Sequence, residues 1–75
     1  MTSKQRFRTK YRLELRERDH GPAHVHLVGG EFDVIIYLDS LQSEGRWPKG
    51  LRQEVLDWIK QHRQQLMEDW NQWHP

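Results

Sequence analysis

The chain has 75 residues, of which 31% are charged and 35% hydrophobic, with a formal net charge of +1 and no cysteine. This length suffices for one small domain, and the lack of cysteine excludes disulfides and metal sites with thiolate ligands. No apolar run approaches the ~20 residues that cross a bilayer, and the basic start lacks the apolar core of a signal peptide. We therefore expect one cytoplasmic domain over residues 1–75.

The first predicted element is a strand over about residues 6–17, in which apolar and charged residues alternate. A period of two places one set of side chains against a core and the other in water. Residues 1–30 hold seven Lys and Arg against three acids, so the front of the chain is basic. The cations on the water side form one line along the strand: Arg6, Arg8, Lys10, Arg12, Arg16 and Arg18.

A hairpin is predicted next, with strands over about residues 23–28 and 31–38 joined by a two-residue turn at Gly29-Gly30. Glycine supplies the positive φ angles that such a turn requires. This register gives one face only apolar residues, so that face must be the core side. The other face carries His24, His26 and Asp33, with Asp33 directly opposite His26, and both imidazoles are expected to be solvent-accessible.

The last predicted element is an amphipathic helix over about residues 49–72, after a loop in which residues 44–47 are candidates for a short strand. Apolar residues recur in the helix at steps of three and four, which is the spacing of one helix face. The predicted fold class is therefore α+β. An antiparallel β-meander of three or four strands packs on one long C-terminal α-helix.

Some helix residues call for a separate interpretation. His62 lies within the apolar stripe, and we expect it to be buried with a hydrogen-bond partner. Leu56 and Met67 fall outside the stripe and Trp70 lies at its edge, so these three are candidates for a dimer or partner contact. His74 lies at the end of the helix and is given no role.

Three of the five histidines lie within one segment, Arg18-Asp19-His20-Gly21-Pro22-Ala23-His24-Val25-His26. This segment resembles the signature Arg-Asp-His-x-Pro-Pro-His-x-His of a small bacterial family of unknown function, and the similarity covers roughly residues 10–72. Ala23 stands where the family usually has its second proline. Members are often encoded beside a second small protein, in arrangements that suggest toxin–antitoxin or mobile-element modules. The resemblance therefore implies a genomic context and not a chemistry.

The histidine segment supports more than one chemistry. His24 and His26, with Asp33 opposite, form a ligand set that suits zinc or another divalent metal, and His20 can approach as a fourth ligand. Without a metal, His20, His24 and His26 are candidates for acid–base catalysis. We favour a solvated polar face with a His26 to Asp33 contact, because H-x-H alone is a weak motif. No metal or other cofactor is therefore predicted.

Two functions remain open. The second choice is a small His-dependent hydrolase, such as a ribonuclease-like toxin, although no nucleophile elbow, phosphate loop or H-E-x-x-H motif is present. The first choice is a non-catalytic interaction module, monomeric or weakly dimeric, that binds a partner protein or nucleic acid. Its candidate binding residues are Arg8, Lys10, Arg12, Arg16, Arg18, His20, His24, His26 and Asp33.

Overall fold

The computed structural model describes residues 2–15 and 22–73, and these residues form an α+β fold. Within them, five antiparallel strands lie in one sheet in chain order, so the sheet is a meander, and one helix follows. The predicted fold class is confirmed, with five strands in place of three or four. The elements are β1 (Thr2–Phe7), β2 (Tyr11–Leu15), β3 (His24–Gly29), β4 (Phe32–Tyr37), β5 (Ser43–Glu44) and α1 (Arg52–Trp73).

The single strand predicted over residues 6–17 is wrong, because a turn at residues 8–10 divides it into β1 and β2. Phe7 pairs with Tyr11 across this turn, and Arg8 and Thr9 take left-handed φ angles of 51° and 58°. Non-glycine residues seldom adopt this conformation. Because Phe7 and Tyr11 are four positions apart, the period-two alternation keeps its phase across the turn, and the sequence pattern hides it.

The β3–β4 hairpin also differs from the predicted one. The turn begins at Gly30, with φ 55°, whereas Gly29 remains in β3. His26 consequently lies opposite Ile35, where Asp33 was predicted. The register is shifted by two residues, and since side chains alternate with a period of two, each one keeps its predicted face.

The core lies between α1 and one face of the sheet, which we call the inner face. Burying a large aliphatic side chain contributes about 1.5–3 kcal/mol, so this contact is the main source of stability. Among the described residues, the apolar side chains that expose 1% of their surface or less are Leu13, Leu15, Val25, Leu27, Val34, Ile36, Leu38, Leu51, Val55, Ile59 and Leu66.

The helix α1 agrees with the predicted bounds to within three residues. Among the described residues, no helix is both long enough and apolar enough to cross a bilayer. Leu56 and Met67 are partly buried against the core and Trp70 exposes only 5%. The expectation that Leu56 and Met67 lie outside the core is therefore wrong, whereas Trp70, expected at the edge of the apolar stripe, belongs to the core.

The prediction that His62 is buried is also wrong. Its exposed ring stacks on Trp58 with 4.1 Å between the centroids, and its Nδ1 donates a hydrogen bond to the Trp58 carbonyl oxygen. The buried stripe runs from Ile59 directly to Leu66, seven residues and about two helical turns later. Residues 60–65 are all exposed, so this stretch of the helix is not covered even on the side that carries Ile59 and Leu66.

Gly29 permits a close approach between β3 and the turn that joins β1 and β2. A Cβ atom at this position would lie 2.6 Å from the Lys10 carbonyl oxygen and 2.6 Å from Tyr11 Cδ1. A Cβ atom at Gly30 would meet only the flexible Lys10 side chain, at 3.6 Å. Gly29 thus sets the distance between the first turn and β3.

We expect Gly29→Ala to lower the free energy of unfolding by about 2–3 kcal/mol, since the added methyl group overlaps backbone atoms. The matched change Gly30→Ala incurs only the cost of a left-handed alanine, about 1–2 kcal/mol. Urea unfolding followed by circular dichroism measures both. Equal losses in the two variants would contradict the close approach at Gly29.

Candidate functional site

The face of the sheet opposite the core, which we call the outer face, carries buried polar side chains. Glu14 on β2 lies directly opposite His26 on β3, and His24 lies opposite Tyr37 on β4. Glu14, His24 and His26 expose only 1%, 8% and 6% of their surfaces. The prediction that both imidazoles are solvent-accessible is therefore wrong. We call Glu14, His24 and His26 the polar cluster.

Each imidazole of the polar cluster is held through its Nδ1 atom. His24 Nδ1 donates to the Pro22 carbonyl oxygen at 2.8 Å, and His26 Nδ1 lies 3.2 Å from Asp33 Oδ1. The expected His26 to Asp33 contact is thus present, although as a diagonal pair. The two imidazole rings meet edge to face, with centroids 5.1 Å apart. Because a carbonyl or carboxylate oxygen can only accept, Nδ1 carries a hydrogen in both rings.

The burial of His24 has an identifiable cause. The Trp70 ring, near the end of α1, lies 5.1 Å from the His24 ring, and the Tyr37 ring lies 6.0 Å from it. The alternation in the sequence assigns His24 to the outer face. It does not show that a helix residue distant in sequence also covers that face.

Glu14 is a member of the polar cluster that sequence reasoning missed. Its carboxylate is almost entirely removed from water, and Arg12 Nε donates to its Oε2 at 2.5 Å. Removing the partner of such a buried charge costs about 3–5 kcal/mol. The available signal was the spacing of Arg12 and Glu14, which are two residues apart and so share a face.

Two groups near the cluster have shifted pKa values. A hydrogen bond from Lys4 Nζ, at 2.8 Å, lowers the pKa of the Asp69 carboxyl group below its ordinary value. Desolvation, and then the charge of Glu44, raise the pKa of the Tyr37 hydroxyl group. Asp69 therefore stays charged at neutral pH, which preserves its tie between α1 and β1, and Tyr37 stays neutral.

Exposed cations gather at the end of the sheet that carries the first and third chain reversals, at residues 8–10 and 30–31. Arg8 donates to the Gly50 carbonyl oxygen at 2.9 Å, which brings the start of α1 beside the first turn. The exposed acids in this region are Glu31, Asp33 and Glu54, and the buried Glu14 pairs with Arg12. We call the region the basic end, and its exposed cations are Arg8, Lys10, Arg12, Arg46, Lys49 and Arg52.

Two partly exposed aromatic rings lie in the basic end, each beside a cation. Tyr11 and Phe32 meet edge to face, with centroids 6.1 Å apart. Lys10 Nζ lies 5.8 Å from the centre of the Tyr11 ring, and Arg46 Cζ lies 5.7 Å from that of Phe32. Aromatic rings interspersed with cations are typical of surfaces on which bases stack beside phosphates.

A shallow cleft of about 410 Å³ lies on the outer face at the basic end. Arg12, Val28 and Asp33 occupy one row across β2, β3 and β4, with Val28 in the middle. We call it the Arg12–Asp33 cleft. Its walls are Arg12, Val28, Gly29, Gly30, Glu31, Phe32 and Asp33.

The structure separates the predicted binding residues into two groups. His24 and His26 belong to the polar cluster, with Asp33 beside them. Arg8, Lys10 and Arg12 belong to the basic end, although not as one line along a strand, because the turn at residues 8–10 intervenes. The residues of the basic end that sequence reasoning missed are Tyr11, Phe32, Arg46, Lys49 and Arg52. The predicted residues that lie outside the described part of the chain are Arg16, Arg18, His20 and His74.

Within residues 2–15 and 22–73, no group of three or more His, Asp or Glu side chains is placed to hold a metal ion. His24, His26 and Asp33 are close to one another, but the hydrogen bonds described above engage Nδ1 of both rings. Zinc binding by these three residues, the alternative to the prediction that no metal is bound, stays a hypothesis.

Comparison with known families decides the classification. The family DUF4160, a domain of unknown function, matches residues 10–71. The chain belongs to this family. No curated protein and no solved structure matches the chain. Since the matched range runs from β2 into α1, the DUF4160 domain includes the polar cluster and most of the basic end.

We expect His26→Gln to lower the free energy of unfolding by about 1–3 kcal/mol, because a buried hydrogen-bonding side chain is replaced and Asp33 loses a donor. The exposed His62→Gln is the matched control and is expected to stay within about 0.5 kcal/mol of the unchanged protein. Urea unfolding compares the two. An equal effect of both changes would show that the polar cluster is not buried.

Proposed function

We propose that this DUF4160 protein is a small cytoplasmic module that binds single-stranded nucleic acid through its basic end and does not catalyse a reaction on it. The observation that carries the proposal is the pair of partly exposed rings, Tyr11 and Phe32, each with a cation within 6 Å of its centre. Bases stack on such rings only when they are unpaired, which favours a single strand over a duplex.

The charge distribution supports the same ligand. The basic end presents six exposed cations and three exposed acids, although the whole chain has a net charge of only +1. The rest of the chain therefore carries more acids than cations, and a phosphate backbone is attracted to one end of the molecule. Cations around the stacking rings are placed to neutralise phosphates on either side of a stacked base.

The alternative function, a His-dependent hydrolase, is less well supported. General acids and bases must come within about 3 Å of the reacting group. His24 and His26 are 8% and 6% exposed, and each uses its Nδ1 in a hydrogen bond to a neighbouring group. A role in holding the outer face together accounts for both observations.

The proposal is tested by fluorescence anisotropy with a labelled ten-nucleotide uridine RNA, over a series of salt concentrations. With roughly three or four phosphate contacts, the logarithm of the affinity should fall with the logarithm of the salt concentration with a slope of about −2 to −3. Lys10→Glu should weaken binding about tenfold and reduce the slope by about one. A duplex of the same length should bind more weakly.

Lys60→Glu is the matched control, because Lys60 is an exposed lysine on α1 outside the basic end. It makes the same change in net charge and should alter the affinity by less than about twofold. Equal weakening by Lys10→Glu and Lys60→Glu would contradict a localised site. Cleavage of the RNA that disappears in a folded His24→Gln, His26→Gln double variant would establish the hydrolase instead.

A further inference from the structure

We infer that the Arg12–Asp33 cleft holds one guanine base of the bound strand. This inference rests on the proposed function. It adds a preference for one base to an interaction that otherwise depends only on phosphate charge and base stacking. Three features of the cleft carry it: the opposite charges of its two walls, the distance between those walls, and the buried residues that hold each charged group in place.

The dimensions of the cleft suit one purine. Arg12 and Asp33 are separated by Val28 alone, so their backbones lie two strand spacings, about 10 Å, apart. Val28 is half-buried and forms an apolar floor on which a flat ring can lie. Gly29 and Gly30 add no side chains to the wall, which leaves the turn backbone open to a ligand.

The charges of the walls select the base. Guanine presents two acceptors, O6 and N7, that suit the paired donors of arginine, and its N2 amino group is a donor. Its N1–H lies beside that amino group, so the edge opposite N7 offers two donors to a carboxylate such as that of Asp33 or Glu31. Adenine places a donor, N6–H₂, where Arg12 requires an acceptor.

The polar cluster holds both walls in position. Glu14 accepts the hydrogen bond from Arg12 Nε at one end of the row, and His26 contacts Asp33 at the other end. Glu14 and His26 are themselves directly opposite each other on β2 and β3 and are almost fully buried. They are positioning residues, since two rigid buried groups each orient one wall of the cleft.

The experiment compares nine-nucleotide RNAs on the unchanged protein, so that folding of a variant does not enter. One strand is all uridine, and the others carry guanosine, inosine or 7-deazaguanosine at the centre. We expect guanosine to tighten binding roughly tenfold over uridine. Inosine, which lacks the N2 amino group, should lose most of that gain, and 7-deazaguanosine, which lacks the N7 acceptor, should lose part of it.

Asp33→Asn supplies the complementary test on the protein, with Asp57→Asn on α1 as the control. Asp33→Asn should bind the guanosine and inosine strands with equal affinity, whatever the loss of one negative charge does to its affinity for the uridine strand. Asp57→Asn should retain the preference. A thermal melt of each variant checks that it is folded. If Asp33→Asn does not fold, the inference is tested by the inosine and 7-deazaguanosine strands on the unchanged protein.

The outcomes separate this inference from the proposed function. Equal, salt-dependent binding of all four strands would overturn the guanine site and leave the nucleic-acid module standing. Binding of none of the strands would overturn both. Guanosine monophosphate that competes as strongly as the guanosine strand would show a site for a free nucleotide and overturn the assignment to a strand.

Discussion

The apolar contact between α1 and the inner face of the sheet is the interaction on which the other features depend. β1 joins the helix at two points, through Phe7 with Trp58 at 6.2 Å between ring centres and through Lys4 with Asp69. Just beyond both elements, Arg8 in the first turn donates to the Gly50 carbonyl oxygen before α1. These ties align the edge strand with the helix. The first turn consequently lies beside the start of α1, and cations that are about forty residues apart in the sequence meet at one end.

The outer face poses a different physical problem. A polar cluster in a small domain stabilises less than an apolar one of equal volume unless every group in it is satisfied. Here the buried carboxylate of Glu14 has Arg12, and His26 has Asp33. Both partners extend from the buried cluster toward solvent, where Arg12 and Asp33 are about half exposed. The buried residues of the polar cluster therefore fix the orientation of the exposed Arg12 and Asp33 side chains, which apolar residues in the same positions cannot do.

The sequence indicates clearly on which face of the sheet each side chain lies. It indicates less clearly where the turns fall and which side chains of the outer face are buried. Alternation places Val25 inside and His26 outside whether the hairpin register is the predicted or the observed one, since the two differ by an even number of residues. The turn at Arg8 is hidden because it contains neither glycine nor proline and keeps the alternation in phase. Trp70 contacts His24, and Arg46 lies beside Phe32. Both contacts join segments that are distant in the sequence, which local periodicity does not encode.

In the proposed complex with a nucleic acid, the exposed lysines contribute mainly to affinity and the Arg12–Asp33 cleft contributes mainly to selectivity. The difference follows from how firmly each side chain is held. Lys10 and Lys49 are exposed cations on turns or loops, suited to phosphates, whose positions vary along a flexible strand. Arg12 is fixed by a buried carboxylate and so loses little conformational entropy when a ligand arrives. A base edge requires that fixed geometry, whereas a phosphate does not. In the proposed complex, the exposed cations therefore supply salt-dependent attraction, and the row held by the polar cluster supplies the discrimination between bases.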